Sequence, residues 1–75
     1  MHWNHRLVAI KDGDEWLFAV QEVYYNSKGE PTGHNDPFLH DETIEGVYTI
    51  LNRMQEAMER PCLNSELDFN NSLDV

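Results

Sequence analysis

Residues 16–25, WLFAVQEVYY, alternate too little for a strand with one wet side: Trp16, Phe18, Val20 and Tyr24 hold even positions, and Leu17, Ala19, Val23 and Tyr25 hold odd ones. A half-buried strand alternates apolar and polar side chains, so both faces of this one need cover. The segment before it, WNHRLVAI, leads into Lys11-Asp12-Gly13-Asp14, where Asp12-Gly13 reads as the two-residue loop of a type I′ hairpin. That loop sets Ala9 opposite Trp16, Leu7 opposite Phe18, His5 opposite Val20 and Trp3 opposite Glu22. Directly opposed residues share a face. One face therefore gathers Trp3, Leu7, Ala9, Trp16, Phe18, Val20 and Tyr24, and is expected to be the core face. The other gathers Asn4, Arg6, Val8, Ile10, Leu17, Ala19, Gln21, Val23 and Tyr25, polar at one end and apolar at the other.

Residues 26–33, NSKGEPTG, form a second turn, with Gly29 free to adopt a left-handed backbone and Pro31 opening the next segment. The following stretch contains Pro31 and Pro37, which lack ladder donors, so it predicts only a short edge strand running into a loop. From Thr43 the period changes. Ile44, Val47, Tyr48, Leu51, Met54 and Met58 recur at spacings of three and four, one stripe of an amphipathic helix. Thr43 or Asp41 is the candidate N-cap, Glu45 lies in the first turn, Arg53 and Arg60 lie toward the end, and Pro61 stops the helix. Gly46 is a flaw of about 1 kcal/mol relative to alanine.

These elements predict an α+β fold: a three-stranded antiparallel meander packed on one amphipathic helix (β-β-β-α). Residues 1–63 form the single domain, and residues 64–75 form a polar, acidic tail that is docked, briefly helical or disordered. One helix covers one face of a sheet. The face with Val8, Ile10, Leu17, Ala19, Val23 and Tyr25 then lacks an obvious lid, and the tail, a second copy or another protein are the candidates for it.

Composition narrows the partner. Fourteen acidic residues against five basic ones give a net charge of −9 over 75 residues. Between Lys28 and Arg53 stand Glu30, Asp36, Asp41, Glu42 and Glu45 with no lysine or arginine among them. Direct binding to a nucleic-acid backbone is not expected, because that affinity comes from lysine and arginine displacing counterions. A chain this short buries only about 60% of its unfolded surface, so a staple or partner is a natural complement. Cys62 is the one cysteine, which rules out an internal disulfide and suits a reducing compartment. The start MHWNHRLVAI shows no signal peptide, and no apolar run approaches the roughly 20 residues of a membrane span. A cytoplasmic location is the expectation.

Four histidines raise the question of a metal. On a strand, His2 and His5 point to opposite faces, and neither Cys-x-x-Cys nor His-x-x-x-His is present on the helix. No metal or other cofactor is expected. Glu22 is the charged residue on the expected core face, and a Ser27-Lys28-Gly29 loop would place His34 opposite it. That pair would be structural first and an acid–base couple only second. No nucleophile with a base and no phosphate-cradling loop accompanies it, so the chain is not expected to be an enzyme.

The segments WNHRLV, VQEVYYNSKGEPT and LNRMQEAMERPCL, in this order, resemble a group of small bacterial proteins with a Trp-Asn-x-Arg start, a Glu-Val-Tyr-Tyr strand and a closing Arg-Met-x-x-Ala helix. The resemblance spans residues 3–63 and implies that Arg6, Glu22, Val23, Tyr24 and Tyr25 belong to a shared pattern. It implies no activity. His34 stands where an aromatic residue is expected, and Gly46 and the acidic tail are further departures.

The expected function is a non-catalytic protein–protein interaction module, in its most specific form a small inhibitor of a basic nucleic-acid-handling protein. Docking would use the second sheet face at Arg6, Val8, Leu17, Val23 and Tyr25, with Asp36, Asp41, Glu42 and Glu45 steering a basic partner. The alternatives are a structural homodimer and, third, a small enzyme using Glu22 and His34.

Overall fold

The computed structural model describes residues 2–69. It is an α+β fold with a four-stranded mixed sheet and one helix, in the order β1 (His2–Asp12), β2 (Glu15–Tyr25), β3 (Pro31–Asn35), α1 (Ile44–Ala57) and β4 (Leu63–Asn64). The sheet order is β3-β2-β1-β4, with the first three strands antiparallel and β4 parallel to β1. The expected meander and helix are present; the fourth strand is an addition. No helix among the described residues is long and apolar enough to cross a membrane.

The first hairpin turns one residue later than the Asp12-Gly13 reading. Asp12 pairs with Glu15, so Gly13 and Asp14 form the loop. Gly13 has φ +63°, and among the described residues none other than glycine has positive φ. A type I′ loop would force two residues into that region, whereas a turn with glycine first needs only one. Leu7 consequently faces Val20, and Ala9 faces Phe18. The pairing moves by two positions, and because side chains alternate with period two, every residue keeps its expected face.

The second hairpin departs by an odd step. Asn26 organises its turn, its Oδ1 accepting from the backbone N–H of Lys28 at 2.9 Å and of Glu30 at 3.0 Å. A bulge at Tyr24/Tyr25 then places His34 opposite Val23 and Asn35 opposite Glu22. An odd shift flips a side chain across the sheet, so His34 lies on the face opposite to Glu22.

Thr43 caps α1 from an extended conformation (φ −125°, ψ 152°), its Oγ1 accepting from Gly46 N–H at 2.9 Å. Asp41 supports the cap by accepting from both Thr43 N–H and Thr43 Oγ1, each at 3.1 Å. This explains the glycine in the first turn: a Cβ at Gly46 would collide with the Asp41 side chain. Gly46→Ala alone is therefore expected to bring no stability, because Asp41 must leave the cap. In an Asp41→Gly background, which also removes the Cβ that would stand 2.7 Å away, the same change should stabilise by about 1 kcal/mol. Urea unfolding of the two single variants and the double variant reads this non-additivity; simple additivity would show that Asp41 and Gly46 do not share the space.

The helix packs against β1 by a side rotated from the expected stripe. Ala57 is buried, and Val47, Ile50 and Met54 are half-buried. Ile44, Tyr48, Leu51 and Met58 stay exposed. Arg60 lies beyond the last turn of α1.

The best-packed cluster lies on the other face of the sheet. Val8 and Val23 are fully buried there with Tyr25 and Phe69, and Ile10 and Leu63 pack against them. The cover comes from the chain after Pro61. β4 pairs Leu63 with Val8, and Ser65 N–H donates to Ala9 C=O at 2.9 Å. Asn64 Oδ1 then accepts from the N–H of Glu66 and Leu67, while Asp68 Oδ2 accepts from Asn64 N–H at 2.7 Å. This side-chain-capped turn carries Phe69 back over the sheet, where its ring lies 4.8 Å from that of His34. The expected uncovered face is thus closed over Val8, Val23 and Tyr25 by residues 63–69, with Leu17 at its far end still exposed, and the expected core face is the one left partly open. The rest of the acidic tail, 70–75, lies outside the described residues.

Candidate functional site

The nine residues expected to meet a partner fall into three groups. Val8, Val23 and Tyr25 are buried and out of reach of a partner, which corrects the expectation that they front a docking face. Arg6, Asp36 and Asp41 are engaged within the chain. Arg6 donates to Tyr25 Oη at 3.2 Å and to Pro61 C=O at 2.8 Å; Tyr25 in turn donates to Asn4 Oδ1. Asp36 accepts from Gln21 Nε2 at 2.7 Å. Leu17, Glu42 and Glu45 are exposed; the two glutamates stand together at the start of α1, and Leu17 lies apart from them on β2.

Glu22 and His34 do not meet. Glu22 Oε1 accepts the Tyr24 hydroxyl at 2.7 Å, and this bond to a carboxylate holds the Tyr24 phenol above its ordinary pKa. His34 Nδ1 instead bonds Gln21 Oε1 on the opposite face. The acid–base couple on which an enzymatic reading depended is therefore not formed. No group of three or more His, Cys, Asp or Glu among the described residues could hold a metal ion.

Two features that sequence reasoning did not single out dominate the surface. The first is apolar area. Phe18 is 69% exposed, with Trp16 beside it on the same strand face, and Ile44, Tyr48, Leu51 and Met58 line one flank of α1. At 100° per residue these four span less than a third of the helix circumference, so they form a continuous stripe beside the packed side. The signal was present in the sequence as an apolar arc wider than one sheet contact can absorb.

The second is a groove of about 300 Å³ between the start of β1 and the C-terminal half of α1, lined by Trp3, Asn4, His5, Arg53, Glu56 and Arg60. His5 is only 3% exposed, and neither ring nitrogen has a hydrogen-bond partner. Its ring meets the Trp3 indole edge-on at 5.5 Å. Burial holds the His5 pKa below its ordinary value; Glu22, its cross-strand partner, opposes the shift and Arg53 adds to it. The expected register sets His5 opposite Val20 on the expected core face, but spacing gives no hint that both ring nitrogens lack a partner there.

Acidic residues border the apolar areas. Asp12, Asp14 and Glu15 stand at the hairpin tip next to Trp16, over whose ring Lys11 Nζ lies at 5.5 Å, and Asp41, Glu42 and Glu45 flank Ile44. Comparison with known proteins returns no matching family model, no matching curated protein and no matching solved structure.

Proposed function

We propose that this chain is a non-catalytic protein-interaction module that docks through Trp16 and Phe18 on the sheet and through the Ile44–Tyr48–Leu51–Met58 flank of α1. The observation that carries this reading is the exposure of these large apolar side chains in a domain whose opposite sheet face is closed. Monomeric proteins seldom leave contiguous apolar patches without a use. Aromatic residues ringed by polar ones are the usual make-up of an interface centre and rim.

The occupant is a basic protein. The rim residues Asp12, Asp14, Glu15, Glu42 and Glu45 complement a cationic surface, and the net charge of −9 steers such a partner in. The same charge repels a second copy, which places the homodimer behind it. An inhibitor of a nucleic-acid-handling protein is the most specific form of this reading, with the acidic module occupying a surface that otherwise holds phosphates.

Capture from a lysate tests it, comparing the wild-type chain with Phe18→Ala/Tyr48→Ala. Both side chains are mostly in water, so the double variant should keep its fold, within about 0.5 kcal/mol per site. The expected result is a set of basic proteins retained by the wild type, released by salt and lost with the double variant. Identical retention by both proteins would reject the surface. A dimer that persists at about 1 M salt and dissociates with the double variant would replace the basic partner by a second copy.

A further inference from the structure

A buried histidine without a hydrogen-bond partner is costly, and such groups in a folded chain call for a physical reason. Around His5 the reason is supplied by its neighbours. Arg53 and Arg60 are two of the five basic residues in the chain, and both line the same groove. Neither guanidinium makes an ion pair or hydrogen bond with a described residue, although fourteen acidic residues are present in the chain. The groove is thus a cationic concavity in an acidic protein, walled on one side by the partly exposed Trp3 indole.

We infer that this groove binds an organic carboxylate, its anionic end between Arg53 and Arg60 beside His5 and its apolar body against Trp3. The site is separate from the docking surface, and neither reading depends on the other. A planar carboxylate matches the fork of a guanidinium. Glu56 sets the charge class: among the lining residues two guanidiniums against one carboxylate leave a single positive charge, which a monoanion neutralises and a phosphate dianion exceeds, and Glu22 beside His5 disfavours that second negative charge further. The groove is large enough for a carboxylate bearing one ring and too small for a polymer.

The charged groups around His5 are Glu22 from β2 and Arg53 from α1, with Glu56 and Arg60 on the groove wall. A bound carboxylate offsets the influence of Arg53 and favours the imidazolium, so binding takes up a proton and tightens as pH falls below neutrality.

The test is a titration of isotope-labelled protein followed by NMR at the His5 ring and the Trp3 indole. The probes are phenylacetate, N-acetyl-glycyl-phenylalanine, the C-terminal amide of that dipeptide, and inorganic phosphate. Both carboxylates are expected to give saturable shifts at His5 and Trp3, with the amide and phosphate giving none. Tighter binding of the dipeptide would assign the site to a polypeptide C-terminus, and tighter binding of phenylacetate to a free organic acid. Arg53→Gln/Arg60→Gln should weaken the carboxylates at least about ten-fold, the loss of charge-assisted hydrogen bonds, with resonances remote from the groove unmoved. Glu56→Gln should admit phosphate. Equal binding of acid and amide, or carboxylate binding that survives loss of both arginines, would overturn the inference. So would the absence of saturation with every probe.

Discussion

Phe69→Ala is expected to destabilise the chain by about 3–4 kcal/mol, a large share of the roughly 4–11 kcal/mol that a domain of this length has in total. The ring is 8% exposed and forms the roof over Val8, Val23 and Tyr25. Its removal leaves those side chains facing a cavity or water. Leu67, two residues earlier and 82% exposed, supplies the control: Leu67→Ala should change stability by no more than about 0.5 kcal/mol. Phe69→Leu, which keeps most of the apolar volume, should lose under about 1.5 kcal/mol. Urea titration followed by tryptophan fluorescence gives all three values. If Phe69→Ala is as mild as Leu67→Ala, the segment after Pro61 is not part of the core and the second sheet face is open after all.

The second large effect concerns His5. Its pKa in the folded chain lies below the ordinary histidine value of 6.5, chiefly because burial penalises the imidazolium. The unfolded chain therefore binds more protons in this range. The contribution of neutral His5 is fully present above about pH 6.5. It is lost progressively as pH falls from there toward the folded-state pKa. The difference in stability between wild type and His5→Leu should accordingly grow as pH is lowered from about 7.5 to about 5.5, with the variant the more stable. Even at the upper end, His5→Leu should gain about 1–3 kcal/mol, because it removes two unmet buried nitrogens and keeps the apolar contact with Trp3 and α1. Paired urea titrations across that window read both numbers. A pH-independent difference would mean that the ring is hydrated. A loss of stability would mean that the imidazole makes a bond that outweighs its burial.

Much of the fold was legible because strand alternation and helical period are local properties. Trp3 through Tyr25 took their expected faces even though the hairpin turned at Gly13-Asp14, since a shift of two leaves the alternation untouched. Thr43 was readable as a cap, and Pro31 and Pro37 marked the edge strand and its exit. What could not be read was which face would be covered. Counting apolar residues favoured the face of Trp16 and Phe18, but cover depends on where the chain goes afterwards. α1 reaches only as far as β1, while Asn64 and Asp68 fold the following turn so that Leu63 and Phe69 land on the other side. The signal for this was Asn64-x-x-x-Asp68 before an aromatic residue, a turn pattern that looks like an unremarkable polar tail. His34 was misplaced for a related reason. One bulge at Tyr24/Tyr25 moved it across the sheet, from Glu22 to Gln21. The candidate site followed the faces: Val8, Val23 and Tyr25 went inside, and the exposed flank of α1 came from residues first assigned to the core.

The exchange of inner and outer faces is open to a direct measurement. Methyl-labelled protein is titrated with a soluble paramagnetic relaxation agent, and the broadening of Val8 and Val23 is compared with that of Ile44 and Leu51. Val8 and Val23 are expected to stay sharp while Ile44 and Leu51 broaden early, as their burial and exposure require. Early broadening of Val8 and Val23 with protection of Ile44 and Leu51 would contradict the closed face beneath Phe69, and with it the placement of the docking surface.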